Sequence, residues 1–185
     1  MDIAKNLLIS WPCIHEGNPL VIPCKGVKIC QKIGIHRQDS INQGIVTGVL
    51  EEYGWLGKRE VGMMGSQAIF LVVQHAPLPV QEKYLPLMRE AVQAGNALGS
   101  ELALLEDWVL IRNGKKQLYG SQVTRDPASN ETHFCPIEDV DSVDQRRATV
   151  GLGPLADYAR HFGMLWNAEA IAKNKKMLPG LPEKK

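Results

Sequence analysis

The chain predicts a mainly α (α+β) fold, a single domain of about six helices with one β-hairpin at about 107–112 and 115–123. Three observations predict it. Apolar residues recur at helical spacing through most of the chain after residue 39, with Gly and Pro between the stretches. An Asn113-Gly114 pair separates two short strand-like runs. A chain of 185 residues with 44% hydrophobic composition is long enough to bury one core, and it shows neither an internal repeat nor a domain linker.

Residues 1–36 read as an irregular arm, because Pro12, Pro19 and Pro23 and Gly17, Gly26 and Gly34 interrupt them. Only Leu20–Ile22 and Val27–Ile29 suggest strands. The helical domain, 37–172, begins with Ser40-Ile41-Asn42-Gln43, a capping box in which Ser and the later Gln satisfy orphan N–H groups. Ile41, Ile45 and Val49, with Val46, Leu50 and Tyr53, then follow at helical spacing, and Gly54 ends the helix. A second helix spans about Gly62 to Ala76, and its Ala68–Val73 stretch is apolar all round, as in a central helix. Pro77 and Pro79 stop it and open a third, with Tyr84, Leu85, Met88, Ala91 and Val92 as the inward stripe. Ser100 caps a short fourth helix to Glu106. After the hairpin, 124–140 read as a loop. Asp141–Asp144 open a fifth helix and Gly153-Pro154 a sixth, with Leu155, Tyr158, Ala159 and Phe162 inward. Residues 173–185 read as a basic disordered tail.

Charge narrows the partners. Charged residues are 22% of the chain and sum to +1. The tail from Lys173 holds five Lys and one Glu, which leaves the body at −3. Nucleic-acid binding would call for a strongly basic face, so no nucleic acid is expected. The longest apolar run, Ala68–Val73, is too short for a bilayer, so no membrane partner is expected either. Cys13, Cys24, Cys30 and Cys135 read as reduced thiols of a soluble, cytoplasmic protein. Partner, oligomeric state and cofactor are left unassigned.

The hairpin supplies the candidate site. Counting outward from Asn-Gly, Arg112 faces Lys115, Leu110 faces Gln117, Val109 faces Leu118 and Trp108 faces Tyr119. Val109, Ile111 and Leu118 make one face the inner one, which places Asp107 and Gln122 at its base. A buried carboxylate needs a partner or a proton, and His75, Arg146, Arg147 and Gln122 are at hand. His75 would be an acid/base group tuned by Asp107, or a core histidine bonded to a carbonyl. Asp107 would be catalytic, or a brace at the corner between helix and strand. Trp108, Tyr119 and Gln117 face outward and, with Arg146 and Arg147, are candidate ligand contacts.

Other motifs carry less. Ten and five residues separate Cys13, Cys24 and Cys30, which matches no zinc knuckle even with His15 and His36 nearby, so no metal site is expected. Gly62-Met-Met-Gly65 lacks the Lys-Ser/Thr of a phosphate loop, and no Gly-Ser pair forms a nucleophile elbow. Glu138, Asp139, Asp141 and Asp144 suit a helix start, and Arg146 and Arg147 would pair with Asp141, Asp144 or Asp157.

Taken in order, Asp39-Ser-Ile-Asn42, Glu52-Tyr-Gly-Trp55, Val73-Gln-His-Ala76, Ala103-Leu-Leu-Glu-Asp107, Tyr119-Gly-Ser-Gln122, Val143-Asp-Gln-Arg-Arg147 and Val150-Gly-Leu-Gly153 resemble the bacterial family called domain of unknown function 6624, from about residue 37 to 165. The resemblance implies a mostly helical bacterial protein and implies no reaction. The chain departs from it at Trp108, where the family usually carries Arg, and in residues 1–36, where the family's Asp-Gln and nearby Arg have no counterpart. Two functions stay open, and the choice between enzyme and binding protein with them. One is a hydrolase- or transferase-like enzyme using His75, Asp107 and Gln122. The other is a non-catalytic module that binds a small ligand or a protein through Trp108, Tyr119 and Trp55 on the outer hairpin face.

Overall fold

The computed structural model describes residues 35–126 and 129–177. The strands suggested at 20–22 and 27–29, the ligand-like Cys13, His15, Cys24 and Cys30, and the end of the basic tail lie outside them. Seven α-helices and one two-stranded antiparallel sheet make up the described residues, so the fold is mainly helical with a small sheet. They fall into two compact units that divide after Leu105. Among the described residues, no helix is long and apolar enough to cross a membrane.

The first unit holds α1 (Ile35–Tyr53), α2 (Lys58–His75), α3 (Leu78–Gln93) and the start of α4 (Gly99–Arg112). Helix α1 starts five residues before Ser40, so that serine is internal and caps nothing. Continuing a helix through Ser costs only a few tenths of a kcal/mol, about the spread of ordinary propensities. Gly54, at φ 71°, ends α1 as expected. Helix α2 kinks at Gly62 (φ 72°, ψ 172°) and then buries Ala68, Ile69, Phe70 and Val73. Helix α3 buries Gln81, Tyr84, Leu85, Met88 and Ala91, an i, i+3, i+4 stripe.

Ahead of α2 the chain is tied to the end of α3. The Glu60 carboxylate accepts from the Gly57 N–H at 2.9 Å and from Asn96 Nδ2 at 2.6 Å. Asn96 Oδ1 accepts from the Arg59 N–H at 3.2 Å, and the Asn96 carbonyl from the Lys58 N–H at 3.1 Å. A Cβ on Gly57 would stand 2.0 Å from that carbonyl oxygen, so only glycine admits the approach.

The predicted hairpin at 107–112 and 115–123 is not there. Helix α4 runs through to Arg112, and Asn113-Gly114 ends it. Gly114 has φ 69° and its N–H reaches the Ile111 carbonyl, while the Lys115 N–H reaches that of Leu110 at 2.9 Å. That double bond pattern is a Schellman cap. A Schellman cap and a type I′ turn both require positive φ at glycine, so Asn-Gly marks either. The strong helix formers from Glu101 to Glu106 nucleate α4, and elongation carries it through Trp108–Ile111.

The hairpin lies instead within the stretch read as a loop. Strands β1 (Val123–Arg125) and β2 (Thr132–Phe134) pair as Val123 with Phe134, Thr124 with His133 and Arg125 with Thr132. Val123, Phe134, Ile137, Val140, Val143, Leu155 and Ala159 form the core of this second unit. A 3-10 turn at Val140–Ser142 precedes α5 (Val143–Thr149), and α6 (Leu155–Arg160) and α7 (Ala168–Lys176) follow. The chain from Lys173 to Lys176 is therefore helical.

Cys135 is disulfide-bonded, which corrects the expectation of four reduced thiols.

Candidate functional site

Apart from His75, the polar residues singled out in the sequence gather on and around one segment, 117–122. Asp107 is fully buried on α4. Its Oδ1 accepts from the N–H groups of Leu118 (2.7 Å) and Tyr119 (3.0 Å), and its Oδ2 from Ser121 (2.9 Å). Burial pushes this carboxyl up from the ordinary aspartate value, and the N–H bonds from Ser121, Tyr119 and Leu118 pull it back. His75 closes α2 in the first unit and is exposed.

Other side chains take further main-chain groups of the same segment. Arg146 Nε donates to the Leu118 carbonyl at 2.9 Å, Arg147 Nη1 to that of Tyr119 at 2.7 Å, and Tyr158 Oη to that of Ser121 at 3.0 Å. Gln117, fully buried, accepts from the Gln122 N–H at 2.8 Å and donates to the Gln122 carbonyl at 2.9 Å and the Cys135 carbonyl at 2.8 Å. The buried Gln122 amide donates to Ser121 Oγ at 3.0 Å. Gly120, at φ 67°, lets the chain turn where a Cβ would meet Leu155 and Ile137 at 3.0–3.1 Å. Seven of the eight residues read as site candidates thus belong to the 106–177 unit, and five of them (Asp107, Gln117, Gln122, Arg146 and Arg147) hold main-chain or hydroxyl groups in and around the segment.

The aromatic candidates are not on the surface. Trp108 is 5% exposed, with the Arg112 guanidinium 4.6 Å over its ring. Trp55 is buried, and neither indole N–H has a hydrogen-bond partner. Tyr119 is half-buried, its hydroxyl donates to Glu106 at 3.3 Å, and burial with that carboxylate pushes its pKa up to about 12. The acidic stretch is spent internally. Asp139 pairs with Arg146 at 3.5 Å and Asp141 with Lys175 at 2.7 Å, while Asp144 accepts from the Leu155 N–H. The two arginines therefore serve carbonyls more than the carboxylates expected for them. Among the described residues, no group of three or more His, Cys, Asp and Glu is placed to hold a metal ion.

Two concave sites were missed in the sequence. One, in the second unit, is a groove of about 500 Å³ lined by His133, Phe134, Phe162, Met164, Leu165 and Trp166, with Lys173 and Glu131 at its rim. Leu165 is 80% exposed, and His133 Nδ1 is buried without a hydrogen-bond partner. Burial, then Lys173, holds that imidazole below its ordinary value. The other, in the first unit, is a cavity of about 260 Å³ where the α2 kink meets the start of α4, lined by Lys58, Met63, Met64, Ser66, Leu98 and Glu101 among others. The available signals were the glycines at 62 and 65, weighed only as a phosphate loop, and His133 beside Cys135.

A family model described as a family of unknown function (DUF6624) matches residues 23–169. No curated protein and no solved structure matches the chain.

Proposed function

The chain belongs to this family of unknown function, and from its own residues we propose that it is a non-catalytic binding module whose ligand sits in the groove along β2. One observation carries the reading. The polar residues of the 117–122 region are committed to main-chain groups, whereas the groove is lined by a part-buried imidazole, the partly buried Phe162, Met164 and Trp166 and the exposed Leu165. A volume near 500 Å³ suits a small ligand with an apolar body and one hydrogen-bonding group. The apolar body would lie on Phe162, Leu165 and Trp166, and the polar group would meet the part-buried His133 ring. The outer aromatic face expected of Trp108 and Tyr119 is thereby replaced by the face of the hairpin at 123–134.

A hydrolase- or transferase-like activity of His75, Asp107 and Gln122 has less support, because both Asp107 oxygens already accept N–H bonds and Gln122 is buried. Bacterial origin belongs to the same proposal, and the cytoplasmic location expected from the sequence does not. The location loses the support of reduced thiols, since a disulfide at Cys135 favours an oxidising compartment.

The test is a fragment screen followed by protein NMR. Binders are expected to shift His133 and the Trp166 indole N–H, and His133→Ala is expected to weaken them about tenfold, the worth of one hydrogen bond to a buried group. Binders that shift only residues outside the groove, or no binders at all, would sink the reading.

A further inference from the structure

We propose that the cavity at the α2 kink binds a small zwitterion, an apolar α-amino acid, with its ammonium on Glu101, its carboxylate on Lys58 and its side chain against Met63, Met64 and Leu98.

The cavity has one acidic and one basic side chain and an apolar wall. Glu101, in the first turn of α4, is 9% exposed, and its carboxyl forms no hydrogen bond or ion pair among the described residues. An unpartnered carboxyl so nearly buried is costly to keep charged, and it is retained where a ligand cation supplies the missing partner. Burial alone raises its pKa to about 7, so near neutral pH it is poised between its two forms. No charged neighbour contributes to that shift. Lys58, which also lines the cavity, is the only other charged side chain there among the described residues, and it forms no ion pair with Glu101.

The apolar wall is open rather than packed. The left-handed backbone at Gly62 breaks α2 just before Met63 and Met64, which are 60% and 79% exposed, and Leu98 beside them is 41% exposed. Methionine adapts to varied apolar shapes, so the wall would accept several aliphatic side chains. The buried Ser66 hydroxyl has no partner among the described residues and is a further acceptor for the ammonium. The Asn96 amide also lines the cavity, but Glu60 and the Arg59 N–H already occupy it. At about 260 Å³ the space falls below the drug-sized range and suits a molecule the size of leucine or methionine. The zwitterion would match both charges at once, whereas a plain amine would face Lys58 with no anion to offer it.

The cavity and the β2 groove share no lining residue, so the two proposals fail independently. The test is calorimetric titration of the full chain with leucine and with methionine. Two analogues go alongside, isopentylamine, which lacks the carboxylate, and 4-methylpentanoate, which lacks the ammonium. Saturable binding of the amino acids is expected, with each analogue about tenfold weaker or worse, the worth of one charge-assisted bond. Glu101→Gln and Lys58→Met are each expected to lose a similar factor while still unfolding in one cooperative transition, which shows that they are folded. Affinity should fall as pH drops below about 7, because the ammonium needs the ionised form of Glu101. The proposal is overturned if neither amino acid binds up to about 10 mM, beyond the millimolar range of weak sites. It is equally overturned if Glu101→Gln leaves binding unchanged, or if isopentylamine binds as well as leucine.

Discussion

Glu101 leaves a mark on stability that can be read without any ligand. Its pKa rises from 4.5 to about 7 because burial penalises the charged form. In the folded state the carboxyl therefore holds its proton to higher pH than in the unfolded chain. Below pH 4.5 both states are protonated and the group contributes nothing. As pH climbs from 4.5 towards 7 the unfolded state releases its proton first, so stability falls, and above 7 the loss is complete. At 1.36 kcal/mol per pKa unit the full loss is about 3 kcal/mol, and the part falling between pH 5 and pH 8 is about 2.5 kcal/mol. Urea denaturation of the parent and of Glu101→Gln at both pH values isolates it, because the amide's own burial cost does not change with pH. The stability gap between the two proteins should move by about 2.5 kcal/mol in favour of the glutamine variant as pH rises. Parallel pH profiles would show that the carboxyl is not held in an apolar cavity.

Replacing Asp107 by Ala leaves the N–H groups of Leu118, Tyr119 and Ser121 without their acceptor and should cost about 3–5 kcal/mol, as breaking buried charged networks does. Asp107→Asn, which keeps one acceptor oxygen, should cost less, and a loss under about 1 kcal/mol for the alanine would contradict the bracing role. Gly57→Ala should destabilise by about 2–3 kcal/mol, since its Cβ meets the Asn96 carbonyl. Gly48→Ala, on the open side of α1 with nothing near its Cβ, should stabilise by about 0.5–1 kcal/mol. Thermal melts order the two glycine variants. Titration of free thiols in the denatured, unreduced protein should find at most two of the four cysteines, because one disulfide removes a pair. Four free thiols would contradict the disulfide at Cys135.

The helical stripes were legible because periodicity is a statement about burial. Tyr84, Leu85, Met88 and Ala91 of α3 face inward as their spacing implied, and so do Leu155 and Ala159 of α6. The hairpin was misplaced because Asn113-Gly114 reports only a positive φ at glycine, and a helix end satisfies it as well as a turn does. The actual strands have three residues each, too few for an alternation to show. The polar cluster around Asp107 was visible as a set of residues, but not what each one holds. Main-chain atoms have no signature in sequence, so bonds from Asp107, Arg146 and Arg147 to the backbone could not be foreseen. Glu101 drew no reading from the sequence, where nothing sets it apart from any acid in a first helical turn; the cavity it lines takes shape only around the kink at Gly62.

The cradle around 117–122 has a consequence for how freely this stretch can be rewritten. Asp107, Arg146, Arg147 and Tyr158 grip peptide groups of this stretch. Position 118 is thus fixed in place by bonds that do not read its side chain, whereas Tyr119 is held a second time through its hydroxyl on Glu106 and Gly120 by its own shape. A fluorophore or a crosslinker installed at 118 would be presented in one orientation by a turn whose geometry is written elsewhere in the chain. At that one position the segment behaves as a socket, and what is plugged into it is open to choice.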